Sequence, residues 1–284
     1  MALVPALQVR VPATEAEIVA SVMWAQGVNA ISEEASDDGR VLLQSDLPAH
    51  GGTELITALA KNGWEASIVE VDDGQDAWRD FAQVVRAGKN IVVWPPWVEL
   101  GEVSPNDIVI SLDPKDAWGH GAHPTTVACL AELERIMDEG RDSTTDSGYS
   151  PQSSVSTVLD LGCGSGALSV AAAMLGAIQV YAIDIDPAAL EATEANALAN
   201  GVASRIMVGA STTEVPQVDV VVANIGVQTL IEMSSIIKEV LKPGGTLIIS
   251  GILNPAPEVV TTAFQPLALR HERVIDKWVS LTLS

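Results

Sequence analysis

Hydrophobic and polar positions follow two regimes along the 284 residues of the chain. In the first, the period changes every few residues. "ALQVRV" alternates as a strand does. In "TEAEIVASVMWAQGV" the positions Ile18, Val22 and Ala25 recur at helical spacing, with Thr14 and Glu17 placed as a capping box. "NAISEEA" and "GRVLLQSD" predict a hairpin around Asp38-Gly39, and "GTELITALAKNG" predicts a second helix that stops at Gly63. "EASIVEVDD" predicts a closing strand. The order βαββαβ over residues 1–75 predicts a ferredoxin-like α+β module.

The chain then changes character. "GQDAWRDFAQVVRAG" predicts a helical connector, and "KNIVVWPPWVEL" a strand that must end where Pro95-Pro96 remove its hydrogen-bond donors, so 76–100 reads as a linker. "NDIVISLDP" is a short strand, and Pro124 opens the helix "TTVACLAELERIM". Residues 139–156, "EGRDSTTDSGYSPQSSVS", are polar and aperiodic and are expected to form a mobile insertion. From Thr157 the second regime begins. "TVLDLG", "QVYAIDID", "SRIMVGA", "VDVVVANI" and "TLIISGIL" are apolar runs of strand length. Helical patterns lie among them, the last being a single helix through "VQTLIEMSSIIKEV" that turns at "LKPGG". Such runs predict a mostly parallel sheet covered on both faces, with "RHERVIDKWVSLTLS" as a final hairpin and ligands at the strand C-termini. The second domain is accordingly placed at 101–284.

Composition narrows the setting. The formal net charge of −22 repels nucleic acid and anionic membranes and favours basic partners, and residues 1–75 carry twelve acids against three bases. Two cysteines, Cys129 and Cys163, form neither a disulfide framework nor a zinc signature, which fits a reducing cytoplasm. The N-terminus lacks the pattern of a secretory signal, and no apolar run reaches membrane-spanning length.

The chemistry is concentrated in "VLDLGCGSGALSV", where Asp160, Gly162, Gly164 and Gly166 end a strand and open a helix. Gly162-x-Gly164-x-x-Ala167, with Asp184 placed for a ribose, also satisfies a loose dinucleotide fingerprint, so the glycines leave two readings open. Charge separates them. Asp160 disfavours a pyrophosphate at this turn, whereas S-adenosylmethionine presents an ammonium and a sulfonium that a carboxylate attracts. Asp184 is then the ribose ligand and Asp186 the cap of the next helix. Asn224 ends a later strand, where its carboxamide can accept a hydrogen bond from an attacking amine. "DAWGHGAHPTT" suggests a metal through His120 and His123, but no third ligand is near in sequence. It reads better as a gate, with Trp118 covering the cofactor and Thr125 and Thr126 reaching its methionine end. The sequence offers no compelling general base: the amine can lose its proton to solvent before docking, and His120 and His123 are the candidates on the chain itself.

With these residues in place the chain resembles class I S-adenosylmethionine-dependent methyltransferases, and more closely the PrmA family. The resemblance rests on "DAWRDFAQVVRAGKNIVVWPPW", "LDPKDAWGHGAHPTT", "VLDLGCGSGALSVAAAMLGA", "IDIDPAALEATEANALANG", "DVVVANI" and "SGIL". It implies a Rossmann-like domain with a seven-stranded sheet, behind a front domain that recognises the large-subunit ribosomal protein L11. The implied activity is methylation of Lys ε-amines or an N-terminal α-amine, with Thr125 or Thr126, Gly162, Asp184 and Asn224 against the cofactor. Two segments differ from the family's usual pattern: Trp118-Gly119-His120-Gly121-Ala122-His123 stands for Phe-Gly-Thr-Gly-Thr-His, and Gly226 stands for a leucine. The competing expectations are a related methyltransferase for another protein or small amine, a cofactor-binding protein without activity, and an NAD-dependent dehydrogenase.

Overall fold

The computed structural model describes residues 3–26, 28, 31–36, 39–47, 52–72, 79, 82–115, 117–139, 155–254 and 257–284. The chain divides into two compact units, 1–81 and 82–284.

In the first unit the strands are β1 (Leu3–Pro12), β2 (Ile31–Ala35), β3 (Arg40–Ser45) and β4 (Ala66–Asp72), with α1 (Ala16–Ala25) and α2 (Gly52–Lys61) between them. They form one antiparallel sheet in the order β2-β3-β1-β4. Leu7, Val9 and Val11 of β1 and Leu43 of β3 share a core with Ala16, Val19 and Met23 of α1 and Leu55 and Leu59 of α2, so both helices cover the same face. Of the expected helical repeat Ile18, Val22 and Ala25, Val22 packs against the core, but Ile18 is 58% exposed, and Ala16, Val19 and Met23 are the buried positions. The helix starts later than expected. Thr14 lies in the turn before it, with Glu15 O accepting from Val19 N at 3.0 Å. Gly39 takes φ 77° in the turn between β2 and β3, where Asp38 lies outside the described residues.

The second unit opens with β5 (Val85–Ala87), β6 (Ile91–Trp94) and β7 (Ile108–Ser111), joined in a three-stranded sheet. The helical linker expected at 76–100 is therefore corrected: Val85–Ala87 pairs antiparallel with Ile91–Val93, and both strands belong to the second unit. Residues 76–78, 80 and 81 of that segment lie outside the described residues. The sheet of five parallel strands and a hairpin is built from β8 (Thr157–Leu161), β9 (Gln179–Ile183), β10 (Ile206–Gly209), β11 (Val218–Asn224), β12 (Leu241–Leu253), β13 (Leu269–Ile275) and β14 (Trp278–Leu283). Its order is β10-β9-β8-β11-β12-β14-β13, parallel from β10 to β12, with β14 antiparallel to both neighbours. The helices are α3 (Pro124–Glu139), α4 (Ala167–Met174), α5 (Pro187–Ala199), α6 (Val227–Glu232), α7 (Ser234–Val240) and α8 (Pro257–Ala263). Branched aliphatics of the strands point alternately to two cores. Val158, Val220, Val222 and Ile248 meet α3 and α4, whereas Leu159, Val221, Leu247 and Ile249 meet α6, α7 and α8. This is the α/β architecture with a mostly parallel sheet that the pattern predicts.

Three local expectations change. The single helix after Asn224 is broken at Met233 into α6 and α7. "LKPGG", expected as a turn, is the start of β12, with Gly244 at φ 76° where the register against β11 shifts. The insertion expected at 139–156 is shorter at both ends: Glu139 closes α3, Val155 is buried in the core, and Ser156 N donates to Asp219 Oδ2 at 3.0 Å. Residues 140–154 lie outside the described residues. Among the described residues no helix is long and apolar enough to cross a membrane.

Candidate active site

From β8 the chain runs through β9 to β10 on one side, then returns to place β11 on the other side of β8. The C-terminal ends of β8 and β11 therefore flank the point where strand order reverses, the place where open α/β sheets bind ligands. The glycine turn follows β8 and Asn224 ends β11.

The turn is held by its neighbours' backbone groups. Gly162 N and Cys163 N both donate to Ile183 O, at 2.8 and 3.1 Å, so the end of β9 fixes the exit of β8. Gly164 takes φ 53°, and a Cβ there would press on the carbonyl of Trp118, so only glycine lets the two segments approach. Gly164 N donates to Asp184 Oδ2 at 2.9 Å, and Asp186 N donates to Asp184 Oδ1 at 3.0 Å. Each carboxylate oxygen keeps a second lone pair, so Asp184 retains acceptors for a diol. Asp186 caps α5, its Oδ1 accepting from Ala188 N at 2.9 Å. Gly166, in the left-handed conformation, opens α4 against Thr193.

Asp160 lies deeper than its neighbours, with no exposed surface. Oδ2 accepts from Ser169 Oγ at 2.6 Å, and Oδ1 is buried without a protein partner. Burial pushes its carboxyl up to about 7; hydrogen bonding to Ser169 opposes the shift and the charge of Asp184 adds to it. The buried thiols are not poised as nucleophiles: burial pushes Cys129 and Cys163 up to about 12.

Opposite the turn, Asn224 Nδ2 donates to Thr126 Oγ1 at 3.2 Å, which leaves Oδ1 of the carboxamide as the free acceptor. Thr125 is buried beside it, but its hydroxyl lies 2.7 Å from His123 Nδ1. Thr125 N also donates to that nitrogen, at 3.4 Å, so the imidazole acts as an acceptor at the start of α3. Burial, then the neighbouring His120, lowers the His123 pKa and keeps the ring neutral near pH 7. The ring packs edge-on against Trp278, with centroids 5.0 Å apart. Trp118 lies over the turn through its backbone, its carbonyl accepting from Ser165 N at 2.9 Å, while the indole is 91% exposed. Ser165 Oγ also donates to the carbonyl of Gly119, tying the histidine segment to the glycine turn twice. His120 is exposed, with Nδ1 accepting from Ala122 N at 3.3 Å. Among the described residues no group of three or more His, Cys, Asp or Glu gathers around a common centre.

Several supports were missed in the sequence. Asn196 Nδ2 donates to Ser165 O at 2.9 Å and Asp113 O at 2.8 Å, while its Oδ1 accepts from Asp113 N at 3.0 Å. Asn200 repeats the arrangement on Ser111, and Thr193 Oγ1 donates to Gly164 O at 3.0 Å. The available signal was the pair of asparagines four apart in "EANALAN", which share one face of α5.

The site fits a cationic ligand better than a pyrophosphate. The turn and α4, residues 157–176, contain no Lys or Arg, and the two strand ends carry the acidic side chains of Asp160, half-neutralised by burial, and Asp184. The unpartnered Oδ1 of Asp160 adds a buried acceptor beneath the turn.

Comparison with known proteins agrees. Residues 8–284 match the family described as ribosomal protein L11 methyltransferase (PrmA). A protein of that name from Citrifermentans bemidjiense is 41% identical over 220 residues, 76% of this chain and 68% of the relative. One from Pelotomaculum thermopropionicum is 35% identical over 268 residues, 89% of this chain and 82% of the relative. The crystal structure of a ribosomal protein L11 methylase from Lactobacillus delbrueckii subsp. bulgaricus superposes with a TM-score of 0.59 at 27% identity, covering 72% of this chain and 98% of that one. The α/β fold is thus that of a methyltransferase, and the chain belongs to the ribosomal protein L11 methyltransferase (PrmA) family.

Proposed function

We propose that the protein transfers methyl groups from S-adenosylmethionine to amino groups of ribosomal protein L11, on Lys ε-amines, the N-terminal α-amine, or both. The observation that carries this reading is the facing of two elements across the switch point. A glycine turn with carboxylates and no basic side chain lies on β8, and a carboxamide with a free acceptor oxygen lies on β11.

The cofactor, when bound, supplies an electrophilic methyl on a sulfonium, which a neutral amine takes in line. The chain's own part is binding and orientation. Asp184 offers lone pairs to the ribose, and Gly162, Gly164 and Gly166 let the backbone approach closely. Asp160 places a buried acceptor beneath the turn. Thr125 and Thr126 face the methionine end, and the backbone of Trp118, not its exposed indole, lies over the turn. Asn224 Oδ1 accepts an N–H of the incoming amine and aims its lone pair, so the rate comes chiefly from proximity and alignment. His123 already accepts hydrogen bonds through Nδ1, so it supports Thr125 rather than serving as a base through that atom. The amine loses its proton to solvent before it docks.

We assign the first unit to recognition of the protein substrate. Its βαββαβ order and antiparallel β2-β3-β1-β4 sheet, with both helices on one face, support the ferredoxin-like reading. The acidic excess suits a basic ribosomal protein, and the two free buried thiols suit a reducing cytoplasm.

Calorimetry with S-adenosylmethionine and NADH, followed by incubation with methyl-labelled S-adenosylmethionine and purified L11, tests the reading. It predicts binding of the first ligand alone and label on L11 amines. Tight NADH binding, or cofactor binding with no label on L11, contradicts it.

A further inference from the structure

Ile225, the residue after Asn224, is gripped from two sides. A Cβ on Gly162 would overlap its Cγ2, so the β-branch of Ile225 rests directly on the cofactor turn. A Cβ on Gly251 would overlap its carbonyl oxygen and stand 3.0 Å from its carbonyl carbon. Gly251 takes φ 87° within β12, where the register against β14 shifts between Ile249 and Ile252. That left-handed residue bends β12 immediately after Ser250, the partner of Asn224 in the β11–β12 ladder, and makes room for the Ile225 backbone. The third restraint comes from α3, through the hydrogen bond from Asn224 Nδ2 to Thr126.

We propose that Ile225 is a positioning residue: wedged between the glycine turn and the bulge at Gly251, it fixes the distance from the cofactor turn to the Asn224 carboxamide. The inference rests on the amine-orienting role given to Asn224. A wedge acts through its shape at one atom, whereas a packing residue acts through its volume. Valine keeps the β-branched methyl over Gly162. Leucine keeps the volume of isoleucine but moves its branch to the next carbon. Packing alone therefore tolerates leucine at least as well as valine. Positioning reverses that order.

The test uses the full chain with L11 and labelled S-adenosylmethionine, measuring kcat, KM for L11, cofactor Kd and Tm for Ile225→Val, Ile225→Leu, Ile225→Ala and Asn224→Ala. Ile225→Val retains most of kcat, while the Leu and Ala variants lose roughly ten- to hundredfold in kcat with cofactor Kd changed less than about threefold. A Leu variant with wild-type kcat, a Val variant that falls as far as Leu, or losses confined to Tm or cofactor Kd overturn the inference. Asn224→Ala separates it from the reading beneath it. Wild-type kcat in that variant removes the role of Asn224 and the wedge with it. An impaired Asn224→Ala beside a fully active Leu variant removes the wedge alone.

Discussion

Asp160 is protonated over a pH range in which an exposed aspartate is ionised, because burial pushes its carboxyl from 3.8 up to about 7. Between those values the folded chain holds a proton that the unfolded chain has released, so stability falls as pH rises through the interval. The lowered carboxyls of Asp219 and Glu132 act in the opposite sense at the acid end, up to the ordinary carboxylate range, and the lowered His123 opposes the decline below 6.5, so the contribution of Asp160 is read from the difference between the wild type and its Asn variant. Melting curves of the ligand-free protein from about pH 4.5 to 8 are expected to decline with pH by several °C. Asp160→Asn, which has no proton to lose, is expected to flatten that decline; parallel curves for the two proteins would falsify the assignment. The places of Asp160, Gly162, Gly164, Asp184 and Asn224 in the fold were legible because each lies where a recognisable strand ends or a recognisable helix opens. Their partners were not. That the Thr125 hydroxyl meets His123 while Thr126 meets Asn224 depends on the rotation of α3, which sequence spacing does not give.

At the scale of elements, α5 and α3 brace the site from behind. Asn196 joins the glycine turn to the segment after β7 through three hydrogen bonds in a nearly sealed position. Asn196→Ala leaves those backbone groups unpaired and is expected to cost about 1–3 kcal/mol and to weaken cofactor binding, measured by denaturant unfolding and calorimetry. An unchanged cofactor Kd would mean that the brace does not reach the turn. Glu132, 1% exposed on α3, accepts from Arg273 Nε at 2.9 Å, Arg135 Nε at 3.1 Å and Thr282 Oγ1 at 3.1 Å, tying α3 to the β13–β14 hairpin. Burial is the largest effect and opposes its ionisation, but the hydrogen bonds from Arg273 and Arg135, with the positive charges beside it, together hold the carboxyl below its usual range. Removing it as Glu132→Ala leaves Thr282 without its acceptor and the part-exposed Arg273 and Arg135 to water, and is expected to destabilise by about 1–3 kcal/mol. Chemical denaturation of the variant reads that loss, and a value near zero would contradict it. Strand and helix types were legible wherever the apolar run was long and regular. The pattern failed at β5, a three-residue strand inside an amphipathic-looking stretch, and at Met233, where one helical pattern is divided between two helices. It also placed Ile18 on the buried face of α1, where Val19 is buried instead.

For the molecule as a whole, charge and topology combine. A formal charge of −22 gives a field that draws in a basic protein and matters less to a small ligand seated between strand ends. Raising salt from about 0.05 to 0.3 M is therefore expected to increase KM for L11 several-fold while leaving the cofactor Kd nearly constant. The parallel sheet was readable from the regular apolar runs that begin at Thr157, whereas the start of the second unit at residue 82 was not, because β5 looks like linker until it pairs with β6. The central claim is that the turn after β8 and the carboxamide ending β11 form one methyl-transfer site. Its most direct test is mass-spectrometric mapping of methyl groups on L11 after reaction with the wild-type chain and with Asn224→Ala, at saturating S-adenosylmethionine. The account predicts label on L11 amines with the wild type and a loss of roughly a hundredfold in kcat for the variant, with its cofactor affinity retained. No label from a wild-type chain that binds the cofactor, or equal transfer by both proteins, would contradict it.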